Sequence, residues 1–455
     1  MFMNFGKKAV ALLLAVGILA VSGCDEQKEP SPESSEVESV AVESDTSLTP
    51  QEQLQLLDDL DGKYKGRTFK IVTTETSLFE NDAESPLGKA VSERITLIEQ
   101  SLDVNVEIVE KSVSSIKEGL RKAKSEGKSY ADMICAPAHA MAELAEAGLL
   151  QDVSSLPYLD LDANYVDKEQ IESQSASGKL YFLSGDATLN INSATVLFYD
   201  KKLLDSVGIS PADKVFSGDF TWDELLSMIN SVSTSGVKAD YALSEEELYY
   251  SVYKSMGGSF IKTSEDGAEL CYDSTLAKTT DSICNSLFKN AAGEDGGALV
   301  NFVNGKTAFL VARLDNVVNI AKKKSEWGIL PLPKLYSGSS DYNCAVSASV
   351  ASLGVPTACS DSAFSGFMLN AFLAASNNGL DEGLKSTYIN YYFWSNDSAR
   401  VLDLTEQSLA YDLGILYSSL PAVYDVSTKF LANDRKQTLE QVDIQYFYEF
   451  WQELF

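Results

Sequence analysis

Apolar and polar positions along this chain fall into stretches with two different periods. Residues 68–73 (Thr-Phe-Lys-Ile-Val-Thr) form a short β-type run, and residues 104–109 (Val-Asn-Val-Glu-Ile-Val) alternate with the period of two that a half-buried strand requires. Between them the helical period runs over 87–101, and a second helix is predicted over 114–125. Residues 132–135 read as an apolar strand, and 138–147 as a helix that Gly148 stops. Strands and helices in this alternating order predict a mainly parallel, doubly wound sheet, since parallel neighbours need a crossover and a helix supplies it.

The order recurs after residue 190. Residues 194–199 are a β-run, and Thr221-Trp222-Asp223-Glu224 opens a helix with a Thr cap and acids beside its positive end. Phe260-Ile261, Asp266-Gly267 and the following Glu269 to Tyr272 predict a hairpin turned at Asp-Gly. Further strands are expected over 306–311 and 327–330. Alanine-rich helices begin at Ser362, and the last helix is aromatic at Tyr446, Phe447, Tyr448, Phe450 and Trp451. There is no internal sequence repeat.

The first residues follow another pattern. Lys7-Lys8 precedes an apolar run over 9–20, closed by Val21-Ser22-Gly23-Cys24. The run is too short to span a bilayer, and charge, apolar core and small residues in this order make a secretory signal. Val21 to Cys24 resembles a lipobox, in which small residues fit the peptidase and the thiol accepts a diacylglyceryl group. Residues 1–23 therefore read as a signal peptide. Cys24 reads as the acylated first residue of a chain anchored on the extracytoplasmic face of the cell membrane. The alternative is an ordinary signal peptide with an incidental cysteine, but the cysteine stands where the motif demands it. Residues 25–50 are acidic, Ser-rich and almost without large side chains, so they cannot bury enough apolar surface to offset ordering entropy and read as a disordered tether. Such a coil holds the body roughly 25–30 Å from the membrane.

Composition narrows the partners. The chain has 36 Lys and Arg against 66 Asp and Glu, a charge of −30, and losing Lys7 and Lys8 with the signal makes it −32. That balance argues against nucleic acid or an anionic lipid surface as a partner. The 455-residue chain exceeds what one core usually serves, so two lobes are expected. The remaining cysteines, Cys135, Cys271, Cys284, Cys344 and Cys359, are odd in number and lack any CxxC spacing, and they read as small buried apolar residues. GxSxG, GxxxxGK[ST], GxGxxG after the first strand and HExxH are all missing. Acid pairs such as Asp58-Asp59 are expected by chance at this acidity, although a glycosidase needs no more than two carboxylates in a cleft.

Several stretches in order resemble the extracellular solute-binding proteins of bacterial ABC importers, the family that includes maltose-binding protein. Tyr130-Ala131-Asp132-Met133-Ile134 with Leu144-Ala145-Glu146-Ala147-Gly148-Leu149-Leu150 is similar to an early strand and helix of that family. Thr195 to Asp200, then Lys201-Lys202-Leu203-Leu204, Gly208-Ile209 and Phe220-Thr221-Trp222-Asp223-Glu224-Leu225, resembles its "YNKDLF…AG…TWDEL" segment. Asn304-Gly305-Lys306-Thr307-Ala308-Phe309 resembles "NGKAAM", and Trp327-Gly328-Ile329-Leu330-Pro331-Leu332-Pro333 resembles "WGVAPLP". The resemblance implies an α/β, two-lobed periplasmic-binding-protein-like fold, each lobe a mainly parallel sheet flanked by helices, joined by hinge crossings. Lobe 1 is expected over 66–189 plus about 346–405, and lobe 2 over 190–345 plus about 406–455, behind an anchor, tether and lead-in over 24–65. It implies a monomer that captures a small solute, a carbohydrate first, between the lobes and delivers it to ABC permease subunits without a cofactor or metal. A surface sensor or adhesion lipoprotein on the same fold, serving no permease, is the second reading, and an enzyme on the same scaffold the third.

Against that family pattern, His139 falls at an acidic sugar-binding position; a lone histidine at a helix start is otherwise structural. Asn190, Asn192 and Ser193 lead into the crossing strand, where amides and hydroxyls meet sugar hydroxyls or serve turn chemistry. Arg313 and Asp315 follow the 306–311 strand, where the family places ligand-facing residues; they clamp a polar ligand or pair with each other. Tyr417 and Tyr424 fall where relatives place an aromatic that stacks on a sugar ring, with core packing as the other reading. Trp222 and Trp327 are assigned to the core. The maltodextrin binder's stacking tryptophans correspond to Ala136 and Asp315 here, which points away from a long glucan and toward a smaller or more polar ligand.

Overall fold

The computed structural model describes residues 49–57, 63–81, 84–233, 236–264, 267–271, 273–291, 297–339, 341–377, 379–393, 395–420 and 444–455. The signal peptide, Cys24, most of the tether, the Asp266 turn and Tyr424 lie outside the described residues. In chain order the strands are β1 (Thr68–Thr73), β2 (Asn105–Glu110), β3 (Met133–Pro137), β4 (Thr195–Asp200), β5 (Lys238–Tyr241), β6 (Ile261–Ser264), β7 (Gly267–Leu270), β8 (Thr307–Arg313), β9 (Trp327–Pro331), β10 (Cys344–Ala345), β11 (Ala351–Gly354) and β12 (Leu409–Ala410).

Two four-stranded sheets organise them. The first has the order β11-β3-β1-β2, with β1 parallel to both neighbours and β11 antiparallel on β3. Its helices are set by local chemistry. Ser85 Oγ accepts from Gly88 N ahead of Pro86–Leu102, Ser112 Oγ accepts from Ser115 N ahead of Val113–Glu126, and Gly127 ends the latter at a φ of 63°. The helix Ser362–Ser376 packs against this sheet and is buried from Phe364 to its end, as its mostly apolar sequence on all sides requires. Residues Pro50–Leu57 of the expected lead-in are helical, and Leu54 is inserted into the same core.

The second sheet has the order β5-β8-β4-β9. It departs from the mainly parallel pairing expected. Only β5 and β8 are parallel, whereas β4 runs antiparallel to both β8 and β9. The chain enters β4 directly from the preceding crossing and so runs away from it, while β8 and β9 come back toward the crossing from the far end. All six β4 residues are buried, as a strand covered on both faces must be. Glu224 N donates to Thr221 Oγ1 at 3.3 Å, the cap expected for the helix Trp222–Ser233.

The last part of the chain, expected to divide at about 405, touches elements on both sides. Asn396–Glu406 packs on β9 of the second sheet. Residues 411–420 and the terminal helix Ile444–Leu454 share a core with β3 and the helix Ala138–Glu146 through Leu413, Leu416, Trp451 and Leu454, and Phe260 and Ile261 at the start of the β6–β7 hairpin belong to the same core. Among the described residues no helix is long and apolar enough to cross a membrane. The five cysteines expected as small apolar residues are unpaired; Cys135, Cys284 and Cys344 are buried, and Cys271 and Cys359 half-buried.

Candidate functional site

Three segments run side by side between the two sheets. Ala194 bridges Val346, Ser347 N donates to Ser193 O at 3.0 Å, and β10 pairs in parallel with β12. The carboxyl ends of strands from both sheets come to these crossings. After β3, Ala138 N and His139 N donate to Val350 O and Ala348 O at 2.9 and 3.0 Å; after β8, Leu314 N donates to Ala194 O at 2.9 Å. A crevice beyond strand ends, flanked by two bodies and floored by narrow crossings, is where an open α/β sheet binds its ligand.

On the first wall, His139 is half-buried in the opening turn of Ala138–Glu146. Its Nδ1 lies 3.0 Å from Ala348 O, and a carbonyl only accepts, so Nδ1 carries the proton and Nε2 is left for another partner. His139 O accepts from Ser419 Oγ at 2.8 Å. The Ser347 and Ser349 hydroxyls, 2.9 Å apart, continue a floor of small polar groups with the half-buried Ser193.

On the second wall, Arg313 stands between two acids without gripping either. Its Nη1 is 3.6 Å from Glu247 Oε1 and its Nε 3.5 Å from Asp315 Oδ2, longer than a well-formed charged hydrogen bond. Glu247 Oε1 is enclosed and has no hydrogen-bond partner among the described residues. Beside this trio the Tyr388 hydroxyl donates to Asn192 Oδ1 at 2.6 Å. Burial, with the nearby Asp315 carboxylate, pushes Tyr388 well above the usual phenol range, so it remains a donor.

The remaining sequence candidates are engaged elsewhere. Asn190 is 2% exposed, and its amide donates to Tyr411 OH at 2.7 Å and Gln170 Oε1 at 2.8 Å. That network fixes the entry to the crossing and leaves the amide no free donor for a ligand. Tyr417 is enclosed by Phe182, Trp451 and Phe455 at ring separations of 5.3, 5.8 and 5.5 Å, so its ring faces core rather than crevice. Trp222 and Trp327 are buried in the core, as expected.

The family profile of bacterial extracellular solute-binding proteins matches residues 85–371, well over half of the chain. The chain belongs to this family. A search of curated proteins finds no match. Among solved structures, the GacH receptor of Streptomyces glaucescens GLA.O, described unliganded and with acarbose, is 14% identical with a TM-score of 0.55, over 86% of this chain and 98% of that one. The galacto-N-biose-/lacto-N-biose I-binding protein of a Bifidobacterium longum ABC transporter, in complex with lacto-N-biose, is 14% identical with a TM-score of 0.60, over 84% and 97%. The Listeria monocytogenes substrate-binding protein Lmo0181, in complex with cycloalternan, is 17% identical with a TM-score of 0.53, over 86% and 98%. At these identities the likeness speaks for the two-lobed fold.

Beside the candidates read from the sequence, the structure places Glu247, Tyr388 and the serines of the crossings. Glu247 was masked by its neighbours: Glu245-Glu246-Glu247 reads as a run of acids complementing a helix start, and nothing local marks the third as the one turned toward Arg313. Tyr388 lies in a connector that carried no motif. The repeated small hydroxyls of Ser347, Ser349 and Ser419 were the available signal for the floor.

Proposed function

We propose that this solute-binding protein is the substrate-binding lipoprotein of an ABC import system. It captures a small solute, a carbohydrate first, between its lobes and delivers it to a membrane permease. Cys24 anchors it on the extracytoplasmic face of the cell membrane, and it works as a monomer without catalysis, cofactor or metal. The observation that supports this reading is the arrangement at the crossings: the backbone after β3 and after β8 is bonded to adjoining crossing segments, and Glu247 Oε1, facing Arg313, has no hydrogen-bond partner among the described residues. The complexes of similar structures with acarbose, lacto-N-biose and cycloalternan support a carbohydrate as the ligand. The proposed contacts are His139 and Ser193 near the floor, with Asn192, Arg313, Asp315 and Glu247 from the second wall; Asn190 and Tyr417 are not among them.

The test is a thermal-shift screen of the mature protein across mono- and oligosaccharides, amino acids and oligopeptides, because a ligand that binds only the folded state at 100 times its Kd adds about 2.7 kcal/mol of apparent stability. A stabilising sugar is expected; a stabilising peptide with no sugar response would replace the carbohydrate assignment. Cys24→Ala is expected to move the protein out of the membrane fraction or leave it unprocessed, since two or more acyl chains are what make such anchoring stable. Unchanged membrane retention of a processed Cys24→Ala chain would end the lipoprotein reading.

A further inference from the structure

We propose that Lys385 and the carboxylates around it form a proton-responsive latch between the two lobes. The helix Gly379–Thr387 packs on Pro86–Leu102 of the first lobe, and the helix Asn396–Glu406 packs on β9 of the second. Lys385 Nζ reaches across them, lying 3.0 Å from Asp381 Oδ2 on its own helix, 2.5 Å from Glu406 Oε2 and 3.4 Å from Asp403 Oδ1 on the other. One ammonium therefore faces three carboxylates, and the like charges of Asp381 and Glu406 are brought together whenever the helices meet. Asp186, on the turn before the first crossing, faces Asp381 and Lys385 with Asp167 behind it; burial, then Asp381 and Asp167, lift its carboxyl from 3.8 to about 6, with Lys385 opposing, so it adds negative charge to the cluster only toward the upper end of the same pH range.

The side chains of Lys385, Asp381 and Glu406 are about one-quarter exposed or less, so solvent screens them incompletely. Burial and the adjacent Asp381 lift the Glu406 carboxyl from its ordinary 4.5 to about 7, with Lys385 pulling the other way. Lys385 stays charged: burial opposes its charge, but the bonds to Glu406 and Asp381 outweigh that and raise it. The assembled cluster thus holds a proton between about pH 4.5 and 7 that separated helices would not hold. A group whose value is raised in the assembled state strengthens that state as pH falls toward its ordinary value, and weakens it as pH rises through the raised one. Acid therefore tightens this contact between the lobes, and pH above 7 loosens it. Glu406→Gln mimics the protonated form and should hold the latch at any pH.

The proposal needs no ligand, so its test is independent of the transport reading. Amide exchange of residues 379–387 and 396–406 in the mature protein would be compared at pH 5.5 and 7.5, corrected for intrinsic exchange, alongside small-angle scattering. Wild type is expected to gain about tenfold protection at pH 5.5, less than the full linkage because the cluster is partly exposed. Its scattering profile should change over the same range. Glu406→Gln should be protected equally at both pH values, with a pH-independent profile. A wild type without pH dependence, or a Glu406→Gln variant that keeps it, overturns the latch. So does a change in protection with no change in scattering, which would confine the effect to the two helices.

Discussion

Asp412 shows how one side chain couples distant segments. Its carboxylate, with no exposed surface, accepts from Ser259 Oγ and Phe260 N at 2.7 Å, Gly414 N at 2.8 Å and Ile261 N at 3.3 Å, with Lys254 Nζ 3.9 Å away. It caps the turn after β12 and ties it to the start of the β6–β7 hairpin. Asp412→Ala strands three backbone donors and should destabilise the fold by about 3–5 kcal/mol; a lower denaturant midpoint at constant slope is the measurement. In the proposed site the comparable residues are His139 and Arg313. His139→Ala should weaken ligand binding by about 1–3 kcal/mol, and Arg313→Ala by roughly 2–5 kcal/mol because Glu247 and Asp315 would lose their cation. Calorimetric titration decides: affinities of both variants within a factor of two of wild type would show that the site lies elsewhere. Residue type was legible in the sequence here, but direction was not. Asn190 suits turns and sugars equally, and Tyr417 suits cores and rings equally; only the fold shows that one is spent on Tyr411 and the other on Phe182.

Among elements, the helix Ser362–Ser376 shows what a buried element demands at its ends and along its faces. Asp361 caps it, accepting from Ala363 N at 3.0 Å, Phe364 N at 3.2 Å and Arg67 Nη1 at 2.8 Å. The bond from Arg67, followed by the backbone donors, holds Asp361 below its ordinary 3.8, with slight burial working against them. A lowered value means the cap is fully present above pH 3.8 and is lost as pH falls through the lowered one. Asp361→Ala should cost about 1–2 kcal/mol at pH 7, and the penalty should shrink in melts near pH 3. Farther along, a Cβ at Gly366 would sit 2.2 Å from Pro157 O, a backbone atom that cannot rotate away. Gly366→Ala should therefore cost about 1–3 kcal/mol in the same melts. Elements with a clear period were legible: β1 spans the residues its pattern predicted, and the helices of the first lobe differ by a residue or so at their ends. Strand direction was not. β4 is buried on both faces and has no alternation to read, and no pattern within it records that the chain enters from the crossing. The terminal helix was foreseen, but an apolar stripe fits either lobe equally, so its place beside β3 was not legible.

At the scale of the whole molecule, the two sheets meet at three adjacent extended segments, and the proposed function requires them to move about that junction. A solute touching only one wall would leave the lobes where they are, since a ligand shifts the balance of two states only by its difference in affinity between them. In the proposed site, groups on both walls would supply that difference, His139 from one and Arg313 from the other. Moving a mostly open population to a mostly closed one takes about a 10⁴-fold difference, or about 5.5 kcal/mol, within reach of a few charge-assisted hydrogen bonds added across the crevice. Small-angle scattering of the mature protein should accordingly give a smaller radius of gyration at saturating ligand than without it. The Arg313→Ala variant, saturated at higher concentration, should contract less, because its second wall no longer supplies the differential contact. Equal radii for empty wild type, loaded wild type and loaded variant would mean that binding and lobe movement are not coupled. A wild-type contraction matched in full by Arg313→Ala would keep the hinge but move the closing contact to another residue of the second wall, with Glu247 the first to substitute.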